Sequence, residues 1–106
     1  MRRGSTPTFT FRMKDKLGQP FDTSTLSDLR VTFKQGDKIV VDKKLSDCVL
    51  SGNTIMVDLN QSETLRFDHR TSVRIQIKGK HRGTGKIITT KIKMKSADEI
   101  LNEEVL

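Results

Sequence analysis

The residue types in this chain best suited to catalysis or metal ligation are one cysteine, Cys48, and two histidines, His69 and His81. Their spacing suits neither chemistry. A zinc site draws on paired ligands a few residues apart, and no such pair is present. The acidic residues are scattered singly, so no calcium loop of alternating Asp and Asn forms. Cys48 lies between Asp47 and Val49 just before a glycine-containing turn, and reads as a small buried hydrophobe. A catalytic thiolate needs a neighbouring imidazole, whereas both histidines lie in polar, loop-like sequence. The run Gly79-Lys80-His81-Arg82-Gly83-Thr84-Gly85-Lys86 carries glycines and cations, as phosphate loops do. It lacks the Walker spacing and leads into a strand rather than a helix, so no ring of helix amides closes on a phosphate. It reads as a hairpin tip. These residues imply a protein that is not an enzyme and holds no metal or cofactor.

The remaining chemistry is charge. From Arg70 to Lys95 stand Arg70, Arg74, Lys78, Lys80, Arg82, Lys86, Lys91, Lys93 and Lys95, with no Asp or Glu among them. All 13 acidic residues lie outside this window, and the chain as a whole carries a formal charge of +7. The window also alternates. Val73, Ile75 and Ile77 are separated by Arg74, Gln76 and Lys78; Ile88, Thr90, Ile92 and Met94 interleave with Thr89, Lys91, Lys93 and Lys95. A period of two with one apolar and one basic side predicts a half-buried β-hairpin whose outer surface is positive, with Gly79 to Gly85 as its loop. Arg74 and Lys78 would then lie beside Lys91, Lys93 and Lys95. Like charges placed opposite one another cost a few tenths of a kcal/mol per pair, roughly, unless something offsets them.

Three accounts of that face follow. Exposed lysines discourage edge-to-edge aggregation. An acidic protein surface could neutralise them, and one lies within the chain: Asp98, Glu99, Glu103 and Glu104 surround Ile100, Leu101 and Val105. Such a tail, from the same or a neighbouring subunit, would cover charge while burying Ile100, Leu101 and Val105. Nucleic acid is the third account, weakened because no aromatic sits on the basic side to stack bases.

The elements that position this hairpin follow from the same alternation. Pro7 to Met13 reads as a first strand, with Phe9, Phe11 and Met13 on one side. Residues 14–27 form the single long connection, suited to a crossing between two sheets, and Gly18-Gln19-Pro20 bends it. Leu29, Val31 and Phe33 mark a second strand, joined through Gln35-Gly36-Asp37-Lys38 to Ile39-Val40-Val41. Leu45 to Leu50 reads as a short edge strand. Thr54 to Leu59 places Ile55, Val57 and Leu59 together. Asn60 and Glu63 have the spacing of a reciprocal helix cap, after which Leu65 and Phe67 would plug one end of the domain. Ser96 and Glu99 repeat that cap ahead of the C-terminal residues.

The predicted fold class is therefore all-β: an Ig-like sandwich of about six to eight antiparallel strands over residues 1–95, with an acidic C-terminal helix or tail at 96–106. A chain of 106 residues has room for one such domain. Phe supplies every aromatic, and the absence of Trp and Tyr argues against antibody-like or sugar-stacking surfaces. No apolar run approaches the roughly 18 residues of a membrane span. The basic N-terminus is followed by no apolar segment, which predicts an unexported protein. A lone cysteine fits a reducing compartment.

Several segments carry a family resemblance. Arg2-Arg3-Gly4-Ser5-Thr6-Pro7-Thr8 opens directly into a strand, and Gly18-Gln19-Pro20-Phe21 precedes Leu29-x-Val31-x-Phe33. Gly52-Asn53-Thr54-Ile55-x-Val57-x-Leu59 runs into Gln61-Ser62-Glu63-Thr64-Leu65-x-Phe67. This order resembles small β-sandwich proteins of phages and prophages of Gram-positive bacteria, in particular the N-terminal Ig-like domain of phage baseplate upper proteins. The resemblance implies a structural or assembly protein of the tail or baseplate region that works by protein–protein contacts. It implies the host cytoplasm during assembly and the virion afterwards. Expected partners are other phage structural proteins and a second copy of the chain, met through Arg74, Lys78, Lys91, Lys93, Lys95, Ile100 and Leu101. The alternative is a nucleic-acid-binding β-domain using the basic hairpin 70–95.

Overall fold

The computed structural model describes residues 6–68 and 70–94. His69, Lys95 and the C-terminal segment 96–106, with Ile100 and Leu101, lie outside the described residues.

Seven strands form two antiparallel sheets: β1 (Thr8–Arg12), β2 (Leu26–Gln35), β3 (Lys38–Lys44), β4 (Cys48–Ser51), β5 (Thr54–Asp58), β6 (Val73–His81) and β7 (Ile87–Met94). One sheet has the order β1-β5-β4 and the other β3-β2-β6-β7. With β1 to β7 set in the places of strands B, C, C′, D, E, F and G, this is the connectivity of an immunoglobulin-type sandwich. Connectivity describes architecture alone, because unrelated sequences share it.

Alternation decides which side of each strand is inside. Phe9 and Phe11 of β1, Ile55 and Val57 of β5, Leu29, Val31 and Phe33 of β2, and Val73, Ile75 and Ile77 of β6 are all buried. Phe33 ties the two sheets together. Its ring meets Phe9 edge-on at 5.3 Å and Phe67 at 6.2 Å between centroids. Such pairs add to stability beyond the area they bury. Phe67 plugs one end of the sandwich, but Leu65 does not; it is 49% exposed. The helical stretch α1 (Gln61–Thr64) is a single turn, so it turns Thr64 and Phe67 inward and leaves Leu65 facing solvent.

The crossing from β1 to β2 is held by side chains as well as by its glycine. Asp15 Oδ1 accepts from the amides of Leu17 and Gln19, both at 2.9 Å. Gly18 takes φ of +79°, which a residue with a Cβ rarely adopts. Further along, the amide and hydroxyl of Thr23 both donate to Gly52 O, pinning the crossing to the β4–β5 turn.

Two register shifts shape the larger sheet. Between the pairs Phe33↔Val41 and Lys34↔Ile39, Val40 is the extra residue of β3; between Leu26↔His81 and Asp28↔Lys80, Ser27 is the extra residue of β2. The first lets Val40 and Val41 bury together, and the second leaves Ser27 and Asp28 both exposed while Leu26 and Leu29 stay buried. The hairpin loop is shorter than its glycines suggest. β6 continues through Gly79 to His81, so the turn spans residues 82–86. Gly79 is a strand residue: a Cβ there would come within 2.9 Å of Leu26 Cδ2.

Candidate docking face

The outer side of the four-stranded sheet is built by the pleat. Residues opposite one another share a side, so the register reads off its rows. One row crosses the sheet as Lys44, Arg30, Lys78 and Thr89. The next holds Asp42, Thr32, Gln76 and Lys91. A third places Lys34 beside Arg74, with Lys93 opposite Arg74 in the register of β7. Lys80 stands opposite Asp28 at the far end.

The hairpin β6–β7 is antiparallel as the alternation requires. Its pairing is specific: Arg74 faces Lys93, Gln76 faces Lys91, and Lys78 faces Thr89 rather than a lysine. The face is also wider than one hairpin. Arg30, Lys34 and Lys44 lie outside the acid-free window, yet β2 sits between β3 and β6 and brings them alongside Arg74 and Lys78. Arg30 lies between buried Leu29 and Val31, and Lys34 follows buried Phe33, so the outward direction of those two was readable from the sequence. Their position beside the hairpin was not, because that depends on strand order. The same placement admits two carboxylates, Asp28 and Asp42. Asp42 is already engaged: Arg30 donates to it at 2.8 Å and Thr32 at 3.0 Å. A shallow concavity of about 210 Å³ opens on this side, bordered by Lys34, Arg74, Gln76 and Lys91.

Neighbouring cations on strands about 4.8 Å apart repel one another. Row Lys44–Arg30–Lys78 and pair Lys34–Arg74 are such contacts, and folding brings them together. The arrangement can attract and orient a negatively charged partner.

The other chemically capable groups are committed locally. The Cys48 thiol is half-buried and donates to Lys44 O at 3.2 Å. Burial, with the nearby charge of Asp47, pushes its pKa up to about 11 against the opposing pull of Lys43. It is a thiol, not a thiolate, at neutral pH. His81 Nδ1 lies 3.0 Å from Thr84 Oγ1 across the hairpin turn. Among the described residues no group of three His, Cys, Asp or Glu side chains could hold a metal ion.

Glu63 is the most engaged acid. Its carboxylate lies 2.8 Å from Lys43 Nζ through each oxygen and accepts from the Asn60 amide at 2.9 Å. Asn60 Oδ1 accepts from the Glu63 amide in return, completing the predicted cap. Burial alone would raise the Glu63 pKa. The hydrogen bonds from Lys43 and Asn60, with the charges of Lys43 and Arg66, outweigh it and hold the pKa below the ordinary glutamate value.

Among the described residues no helix is long and apolar enough to cross a membrane. No protein-family model, curated protein or solved structure matches this chain.

Proposed function

We propose that this domain is a non-enzymatic structural or assembly module that docks acidic protein surfaces through the outer face of its four-stranded sheet. The observation that carries the reading is the cationic row Lys44–Arg30–Lys78 with the pair Lys34–Arg74 across the intervening row of Asp42, Thr32 and Gln76, drawn from three strands. The resemblance in strand and turn order supports placing it among phage or prophage particle components of the tail or baseplate region. Lys91 extends the face on β7, and Lys93 pairs with Arg74 in the strand register.

A protein partner suits this face better than nucleic acid. Phe9, Phe11, Phe33 and Phe67 are consumed by the core and Phe21 packs partly buried against it in the crossing, so none of the five rings lies on the outer side of the four-stranded sheet as a stacking platform. Asp28 and Asp42 interrupt the charge, as mixed-charge protein surfaces do and phosphate tracks do not.

The test measures binding of poly-L-glutamate and of short duplex DNA across a salt series, for the wild type and for Arg74→Glu/Lys78→Glu. The expected result is salt-sensitive binding of poly-L-glutamate that the double variant loses without a change in unfolding midpoint. Tighter binding of DNA, with a steep salt slope, would instead establish the nucleic-acid reading. Binding indifferent to the charge reversal would remove the face from any role. The particle assignment is checked by mass spectrometry of purified virions, where the chain should be present in fixed stoichiometry.

A further inference from the structure

The two sheets have four edges, and they differ in how far they are protected. β4 has four residues, and β1 has five and starts beside Pro7. β3 is bulged at Val40 and turns Lys43 inward to Glu63. Short length, bulges and inward charges are the ordinary means of blunting an edge. β7 has none of these three features; the lysines that fall on it, Lys91 and Lys93, discourage pairing with a basic or neutral strand and favour an acidic one. β7 runs eight residues and pairs with β6 in unbroken register, and among the described residues no strand pairs its other side.

The direction of its backbone groups follows from the turn. His81 N–H donates to Lys86 O at 2.8 Å, which makes 81 and 86 a hydrogen-bonded pair. Such pairs alternate along an antiparallel ladder, so Gly79/Ile88 and Ile77/Thr90 bond as well. The amides and carbonyls of Ile87, Thr89 and Lys91 therefore point to the open side.

Beside that edge lies a groove of about 300 Å³, bordered by Lys14, Lys16 and Phe21 of the crossing, by Lys86 of the hairpin turn and by Ile87 and Ile88 of β7. Ile87 is 52% exposed. Asp15 also borders the groove, but its Oδ1 is turned to the amides of Leu17 and Gln19. The groove thus combines an apolar floor with a cationic rim.

We infer that the edge of β7 accepts an extended acidic strand from a partner protein, adding an eighth strand by backbone pairing at Ile87, Thr89 and Lys91. The inference rests on the docking reading and specifies its geometry. A strand laid on β7 would alternate. Side chains on the outer side meet Lys91 and the basic face, and acidic residues suit them. Side chains on the inner side meet Phe21 and Ile88, and apolar residues suit those. Recognition of this kind takes affinity from main-chain bonds and specificity from alternate side chains. A second copy of this chain is the wrong occupant. Antiparallel two-fold pairing of β7 with itself would join two basic faces into one and bring Lys91 near its own copy.

The experiment uses a synthetic peptide alternating Glu and Val, and the same peptide N-methylated at the amides of one edge, each titrated into the full chain. Amide hydrogen exchange is recorded in parallel. The expected result is binding by the unmodified peptide, weaker by about tenfold or more after methylation since several main-chain bonds are lost. Ile87, Thr89 and Lys91 amides should gain protection on binding. Equal affinity for the methylated peptide, or binding without protection at those amides, overturns the edge inference and leaves the docking face standing. Binding of neither the peptide nor poly-L-glutamate overturns both. A dimer in solution that protects the same amides overturns the choice of occupant.

Discussion

On the outside of the three-stranded sheet the rows in register are Thr10, Met56 and Val49, then Arg12, Thr54 and Ser51. On the outside of the four-stranded sheet they are Lys44, Arg30 and Lys78, then Asp42, Thr32 and Gln76, then Lys34 and Arg74. Both sheets present the same kind of inner side to one core, with Phe11, Ile55 and Val57 matching Phe33, Val31 and Ile75 at 0% exposure. The fold needs apolar alternation on the inside and tolerates nearly any polar residue on the outside. A threonine-rich surface with few charges, Arg12 and Asp58 among them, satisfies one sheet. Concentrating cations on the other is therefore not something the packing of the inner sides requires. The contrast makes four measurements informative, taken from the largest expected effect to the smallest.

Phe33→Ala should cost about 3–5 kcal/mol, because the ring is fully buried and its loss leaves a cavity between Phe9 and Phe67. Urea unfolding gives the value. A cost under 1 kcal/mol would mean that the inner sides do not carry the stability assigned to them.

Glu63→Gln should cost about 2 kcal/mol, less than for a fully buried pair, since both partners keep some solvent contact. It also predicts a pH dependence. The folded pKa of Glu63 lies below its unfolded value, so the stabilisation is present above the unfolded pKa. It is lost as pH falls through the folded one. The wild type should lose stability on acidification through that range, and Glu63→Gln should lose less. Parallel pH profiles would show that the Lys43 contact is not what lowers the carboxyl. This pair shows that a charge can serve the fold when a strand turns it inward.

Strand positions were readable where alternation was clean, as in Leu29, Val31 and Phe33 or Ile55, Val57 and Leu59. Each buried set needs one strand and no knowledge of its neighbours. The cap at Asn60 and Glu63 was readable for the same reason, its geometry being local. Lys43 was not, because its inward turn appears only once Val31 is known to lie opposite and Glu63 to lie near. Gly79 looked like loop because glycine and charge cluster after it; close packing against Leu26 explains its presence in a strand. The docking face was half readable. Arg74, Lys78, Lys91 and Lys93 announce themselves by an acid-free window, whereas Arg30, Lys34 and Lys44 join them only through the order β3-β2-β6-β7.

Gly79→Ala probes how tightly the inner side of the basic sheet is filled. The added methyl meets Leu26 Cδ2, the end of a side chain that can shift, so the cost should be about 1–2 kcal/mol. Leu26→Val in the same chain should recover part of it by making room. Costs that simply add would place the two residues out of contact.

The last measurement removes charge from the outer side. Arg74→Gln/Lys78→Gln separates Lys34 from Arg74 and Arg30 from Lys78, two like-charge contacts that folding brings together. Relieving them should leave the unfolding free energy unchanged or raise it by a few tenths of a kcal/mol, roughly, per pair. Wild-type stability should climb with added salt as the repulsion is screened, and the variant should respond less. Binding to poly-L-glutamate should fall in the same protein. A loss of stability above about 1 kcal/mol would mean that these cations hold the sheet together, for instance through the aliphatic stems of Arg74 and Lys78. The two outer surfaces would then differ for structural reasons. Retained stability with lost binding separates the roles: the inner sides specify the sandwich, and the cationic rows specify what it meets.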